Sequence, residues 1–266
     1  MTVVCPPEAG GLIAREKSAF QALYPKAVIE VRPGSSRDAV SGLFQARADA
    51  AVLTRELEPE ERAAAVRGRL EVDGYRFARD ALVVIVNPAN PVENISLQDL
   101  ARIYSGTLTD WSDVAGGRGA IAPVAQPPGS DVTAFFEEQV MSNQPIRARV
   151  YQERDDSAVV ARVLREPRAI GYITLAWAGH GARALRVASM RGLPYWDPDL
   201  EAVYRGDYPL TRFFSYYVRP HGRPLADGFI TFITSRDGQK IVHEQGLVPT
   251  SVPVRFVRRS PMLSSH

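Results

Sequence analysis

One cysteine, Cys5, is present in 266 residues, which excludes an internal disulfide and any cysteine-built metal site. Lysine is scarce, at positions 17, 26 and 240 alone, so the basic charge is carried by arginine. Net charge is only +2, too little for the basic field that nucleic-acid binding needs. No apolar run reaches the length of a membrane span. Nor do the first residues pair a charged stretch with an apolar one, as an export signal does. The histidines, at 180, 221, 243 and 266, lack the mutual spacing of a metal site. No cofactor is expected. A Gly-x-Ser-x-Gly nucleophile elbow is missing too: Ser130 stands between Pro127-Pro128-Gly129 and Asp131-Val132, with no paired base. No catalytic residue is assigned, and the chain is not expected to be an enzyme.

What remains is ordinary globular composition, 45% hydrophobic and 23% charged, with a pI of 8.7 that allows mild attraction to anions. Arginine excess suits phosphate recognition, although a coding bias explains it as well. Cys5 sits in the apolar run Val3-Val4-Cys5 and reads as a buried structural thiol. The length accommodates one large domain or two lobes with separate cores.

The first third has a βαβα rhythm. A strand over Thr2–Cys5 is followed by a loop at Pro6-Pro7-Glu8-Ala9-Gly10-Gly11 and a helix over Leu12–Leu23. Ala27–Val31, a helix carrying Ala39, Val40, Leu43 and Phe44, and a strand at Ala48–Leu53 come next. Glu58-Pro59-Glu60-Glu61 opens another helix with an acidic first turn. This order implies parallel strands with helices on the sheet faces. Ala81–Val86 and Phe213–Val218 are apolar, flanked by turn signals, and are the candidate strands crossing between lobes. Gly129-Ser130 lies between the strand-like Ala122-Pro123-Val124-Ala125 and an apolar helical run expected to continue to about Arg149. Such a loop can turn N–H groups and hydroxyls toward an anion. Asp155-Asp156-Ser157 caps a helix over Ala158–Leu164, and Arg255–His266 reads as a polar tail.

Six segments in order carry a family resemblance: Asp80–Val92, Leu97–Trp111 with Ile103-Tyr104-Ser105-Gly106, Pro128-Gly129-Ser130, Ala169-Ile170-Gly171-Tyr172-Ile173, Tyr208–Arg212 and Ser235–Val242. The chain resembles the phosphate-binding-protein-type solute receptors of bacterial ABC importers, which have the type II periplasmic binding fold. The resemblance implies two α/β lobes with mixed sheets joined by two crossing hinge strands. Lobe 1 would comprise 1–80 and 185–266, lobe 2 would comprise 81–184, and the ligand cleft would lie between them. It also implies a small oxyanion as ligand, an ABC importer component or a sensor as partner, a monomer, and a periplasmic or otherwise extracytoplasmic location with any export signal removed ahead of Met1.

The same resemblance nominates the site residues. Gly129, Ser130, Asp131 and Thr133 match a helix-opening loop that meets ligand oxygens, but Asp131 stands where Gly is usual, Val132 where a contacting Thr is usual, and Gln126 where Arg is common. Ser35 and Ser36 match a second anion loop. Thr54 and Arg55 follow a strand where the family places Asp or Ser at the ligand, and Ser157 opens a further helix. Pro6-Pro7-Glu8 departs most, since two prolines remove two donors and Glu8 adds negative charge. Asp131 facing an anion is repulsive, so Asp131→Gly is expected to improve anion binding. Two functions follow: a receptor for a small oxyanion, phosphate by default, or a scaffold of the same fold whose anion site is degraded or repurposed.

Overall fold

The computed structural model describes residues 1–114, 118–220 and 223–250. The expected Arg255–His266 tail and His221 lie outside them. The chain opens with β1 (Thr2–Cys5), α1 (Pro7–Leu23), β2 (Glu30–Pro33), α2 (Ser36–Phe44), β3 (Ala50–Leu53), α3 (Pro59–Arg67) and β4 (Asp73–Val86). Next come β5 (Asn94–Ser96), α4 (Leu97–Ser105), β6 (Ala122–Ala125), α5 (Asp131–Gln139), β7 (Tyr151–Gln152), α6 (Asp156–Arg165) and β8 (Ala169–Thr174). The remainder is β9 (Arg183–Ala184), β10 (Arg186–Ala188), α7 (Leu200–Arg205), β11 (Thr211–Val218), α8 (Pro224–Ile233), α9 (Arg236–Glu244) and β12 (Val248–Pro249).

One strand organises the molecule. β4 continues well before the expected Ala81–Val86, and its two halves serve different neighbours. Asp73–Ala81 pairs antiparallel with β11, whereas Leu82–Val86 pairs antiparallel with β8. The sheet therefore runs β2-β1-β3-β11-β4-β8-β6-β7, with β9 and β12 also on β4. β1 is parallel to β2 and β3, as the βαβα rhythm predicts, and β6 is parallel to β7 and β8. Leu82 through Val86 are buried, consistent with a strand covered on both faces and composed of continuous apolar residues.

Two large buried clusters divide along β4. One gathers Val3, Ile13, Ala50, Phe77, Phe214, Phe229 and Ile233. The other gathers Val83, Tyr104, Trp111, Phe136, Val159 and Tyr172. Leu185, Val187, Ala202, Val203, Tyr208 and Leu210 belong to this second cluster, although the sequence places residues from 185 onward in the first lobe. The reason is β9, which pairs with Ile85 and Val86, and Tyr208, whose hydroxyl donates to the Leu82 carbonyl at 2.9 Å. The Leu210 carbonyl accepts from the Leu82 N–H at 2.9 Å.

Other departures have local causes. Pro6-Pro7-Glu8 does not form a loop: Pro6 caps α1 and Pro7 is its first residue, where a missing N–H breaks no helical bond. The helix expected to reach Arg149 ends at Gln139, followed by Ser142 and Asn143 with φ of 52° and 62°. The expected strand over Ala184–Ala188 splits into β9 and β10, on different partners. Gly171 explains its own presence in β8. A Cβ there would lie 2.8 Å from Val159 Cγ1, so glycine lets α6 approach the sheet.

At the crossing, Asp80 and Arg212 are almost completely buried. Arg212 Nε donates to Asp80 Oδ2 at 2.9 Å, and Asp80 Oδ1 accepts from the Leu175 N–H at 3.1 Å. The guanidinium lies between the rings of Phe135 and Phe214, at 5.6 and 5.7 Å from their centroids. One ring comes from each cluster.

Candidate functional site

Four helices begin at the crevice between the two halves: α1 and α2 on one side, α5 and α6 on the other. Pro7 and Glu8, Ser35, Ser130 and Asp131, and Asp155, Asp156 and Ser157 from these helix starts share a cavity of about 560 Å3 with Gln126, Arg154 and Trp177. Helix N-termini present unpaired N–H groups and partial positive charge. Here each also carries a carboxylate in its first turn: Glu8, Asp38, Asp131 and Asp156.

The α2 start is the donor side. Ser35 caps the helix through a reciprocal pair, its Oγ accepting from the Asp38 N–H at 3.2 Å while its own N–H donates to Asp38 Oδ2 at 3.0 Å. Ser36 is thereby left in the first turn with its N–H free of the helix. That N–H donates to both oxygens of Asp131, at 3.1 Å each. The Ser36 hydroxyl accepts from the Thr54 N–H at 3.1 Å and donates to Asp131 Oδ2. The Thr54 hydroxyl donates to the same oxygen at 3.0 Å. Ser36 and Thr54 are buried. A cradle of one helix N–H and two hydroxyls thus grips a two-oxygen anionic group, as a dipole-built anion site should.

The α5 and α6 side supplies the gripped group and other acceptors. Ser130 caps α5, accepting from the Thr133 N–H at 3.2 Å, which aims Asp131 across the crevice. Asp156, buried, accepts from Gln126 Nε2 and from the Thr174 hydroxyl, both at 2.6 Å. Burial raises its pKa to about 6, with Asp80 adding to the rise and Thr174 and Arg212 opposing it. Glu8 faces these groups from α1, and neither of its oxygens reaches water or a hydrogen-bond partner. Burial raises its pKa to about 7; Arg212 opposes this, while Asp131 and Asp156 add to it. Arg212 keeps its charge despite burial because Asp80, Glu8 and Asp131 surround it, although its Nη1 has no hydrogen-bond partner.

Of the residues nominated from sequence, Ser35, Ser36, Thr54, Ser130 and Asp131 come together at this crevice. Ser157 lines it but donates to Asp155 at 2.6 Å. Arg55 borders the neighbouring cavity on the other side of Asp131, its guanidinium forked onto Glu61 at 2.8 Å on both nitrogens. Thr133 is buried, its hydroxyl donating to the Gln126 carbonyl at 3.1 Å. Gly129 supplies the left-handed turn, φ 81°, that precedes the Ser130 cap. Val132 is buried in the core. Sequence reasoning weighed Glu8 as a charge against the anion and did not nominate Asp156, Trp177 or Arg212. Only Arg212 had a usable signal, in its motif Tyr208-Pro209-Leu210-Thr211-Arg212.

Two α/β halves built on one shared strand, with helix starts facing across a crevice, define a hinged binding-protein architecture. The chain belongs to the PBP superfamily, whose domain model matches residues 11–237. Among curated relatives, phosphate-binding protein PstS of Pseudomonas aeruginosa is 23% identical, with 88% of this chain and 78% of the relative covered. PstS of Bacillus subtilis is 26% identical, with 90% and 76% covered. An ABC-type phosphate transport receptor from Vibrio cholerae superposes with a TM-score of 0.82 at 22% identity, over 94% of this chain and 100% of that one. PstS from Borrelia burgdorferi superposes with a TM-score of 0.70 at 21% identity, over 94% and 98%.

Proposed function

We propose that the chain is an extracytoplasmic solute receptor for a small oxyanion, phosphate first among the candidates, serving an ABC importer or a sensor as a monomer. One lobe would comprise residues 1–80 and 211–250, and the other 81–210. The observation that carries this reading is the cradle of Ser36 and Thr54, which already binds an anionic two-oxygen group through one helix N–H and two hydroxyls. Relatives named for phosphate binding support the choice of ligand. No helix among the described residues is long and apolar enough to cross a membrane, which is compatible with a receptor reached by free solute.

A second reading keeps the fold and drops the oxyanion: a scaffold, or a receptor repurposed for another ligand. Glu8, Asp131 and Asp156 favour it, since each places an acceptor where an anion would need a donor. Calorimetric titration with phosphate, sulfate, molybdate and small organic acids separates the two. Saturable binding of one oxyanion, weakened roughly ten- to a hundredfold by Ser36→Ala, supports the receptor. Silence across the panel, in wild type and Asp131→Gly alike, supports the scaffold.

A further inference from the structure

We infer that Asp131 is a tethered ligand: its carboxylate takes the seat of a solute oxyanion on Ser36 and Thr54 and latches the two halves of the molecule together. Ser36 and Thr54 of one half both donate to this carboxylate of the other across the crevice, whereas the bonds of Asp80 to the Leu175 N–H and of Arg79 to the Val203 carbonyl join the halves at β4 itself. Asp131 also lines two cavities at once. On one side is the space of about 560 Å3 with Ser35, Gln126 and Trp177, and on the other a space of about 750 Å3 with Thr54, Arg55, Phe135 and Glu137. The side chain is therefore a strut that divides the crevice as well as a clasp across it. Ser130 as cap fixes the direction of the strut, and the Thr54 N–H fixes the Ser36 hydroxyl that receives it.

The consequence follows from competition. An external oxyanion gains the cradle only in molecules whose latch is undone, so apparent affinity falls by the fraction unlatched. Closure is likewise uncoupled from solute, because an internal group supplies the bonds that a solute would otherwise make across the crevice. This inference rests on the oxyanion reading for its binding arm but not for its closure arm.

The test uses the full chain with spin labels at Glu60→Cys and Glu138→Cys, exposed positions on opposite walls of the larger cavity, and inorganic phosphate as the probe. Without phosphate, the otherwise wild-type protein should give one short, narrow interlabel distance. Asp131→Gly should give a longer, broader one that contracts on adding phosphate, with affinity at least about tenfold above wild type. An Asp131→Gly distribution identical to wild type without phosphate overturns the latch. Opening in Asp131→Gly with no phosphate binding in either protein leaves the latch standing and sinks phosphate as the ligand. Thr54→Val and Asp131→Asn, which disturb the helix start less, should open partially; if both stay closed the latch is overturned, whether or not the glycine variant folds.

Discussion

Two helix starts in the same half of the molecule, α1 and α2, face the same crevice with opposite chemistry. α2 opens on Ser35-Ser36 and grips a carboxylate with an N–H and a hydroxyl. α1 opens on Pro6-Pro7-Glu8, has no side-chain cap, and leaves a carboxylate out of water with no hydrogen-bond partner. Both have the same dipole direction and the same supporting sheet. The difference teaches that a helix N-terminus makes an anion site only when its first residues keep their donors. Proline at the first position removes a donor, and the glutamate at the second puts a buried carboxyl group at the helix mouth.

The largest test of this contrast is Arg212, the buried cation that faces both Glu8 and Asp131. Arg212→Met leaves Asp80 buried without its ion pair and should lower unfolding stability by roughly 3–5 kcal/mol in denaturant titrations. A loss under about 1 kcal/mol would mean that the crossing of the chain does not depend on this pair. Next is the pH dependence of α1. Folded Glu8 keeps its proton up to about pH 7, whereas an ordinary glutamate releases it near 4.5. The folded state therefore binds more protons between those values, so this group's contribution makes stability fall as pH rises through the window and level off above it. Glu8→Gln should make that part of the stability profile less steep, leaving the contributions of Asp156, from 3.8 to about 6, and of Glu16, buried on the same helix, from 4.5 to about 9. An unchanged slope would show that Glu8 is solvated. The smallest effect belongs to α2: Ser35→Ala removes the reciprocal cap and should cost about 1 kcal/mol. Its effect on anion binding should be weaker than that of Ser36→Ala, because Ser35 holds the helix start while Ser36 touches the occupant.

Much of this was legible before any coordinates. The Ser130 cap, the Ser35-Ser36 helix start and Thr54 at the end of a buried strand were readable because capping and a short apolar run are local signals, set by residues close in sequence. The pairing of Arg55 with Glu61 was not legible, because it depends on how α3 folds back. The cluster that residues 185–210 join was not legible for a similar reason. Residues 185–210 have no local signal naming their cluster; pairing of β9 with β4 and the reach of Tyr208 to Leu82 set it.

The order of residues alone indicated most of the helices, the apolar central strand and the presence of an aspartate where a donor loop is expected. It left the direction of that aspartate open, since a capping carboxylate and one crossing a crevice look the same in a linear chain. The packing of α2 and α5 against a sheet shared through β4 settled the matter. Residues 36, 54 and 131 meet only when separate parts of that sheet are brought side by side, and a hydrogen bond exists only at the distance the whole fold allows.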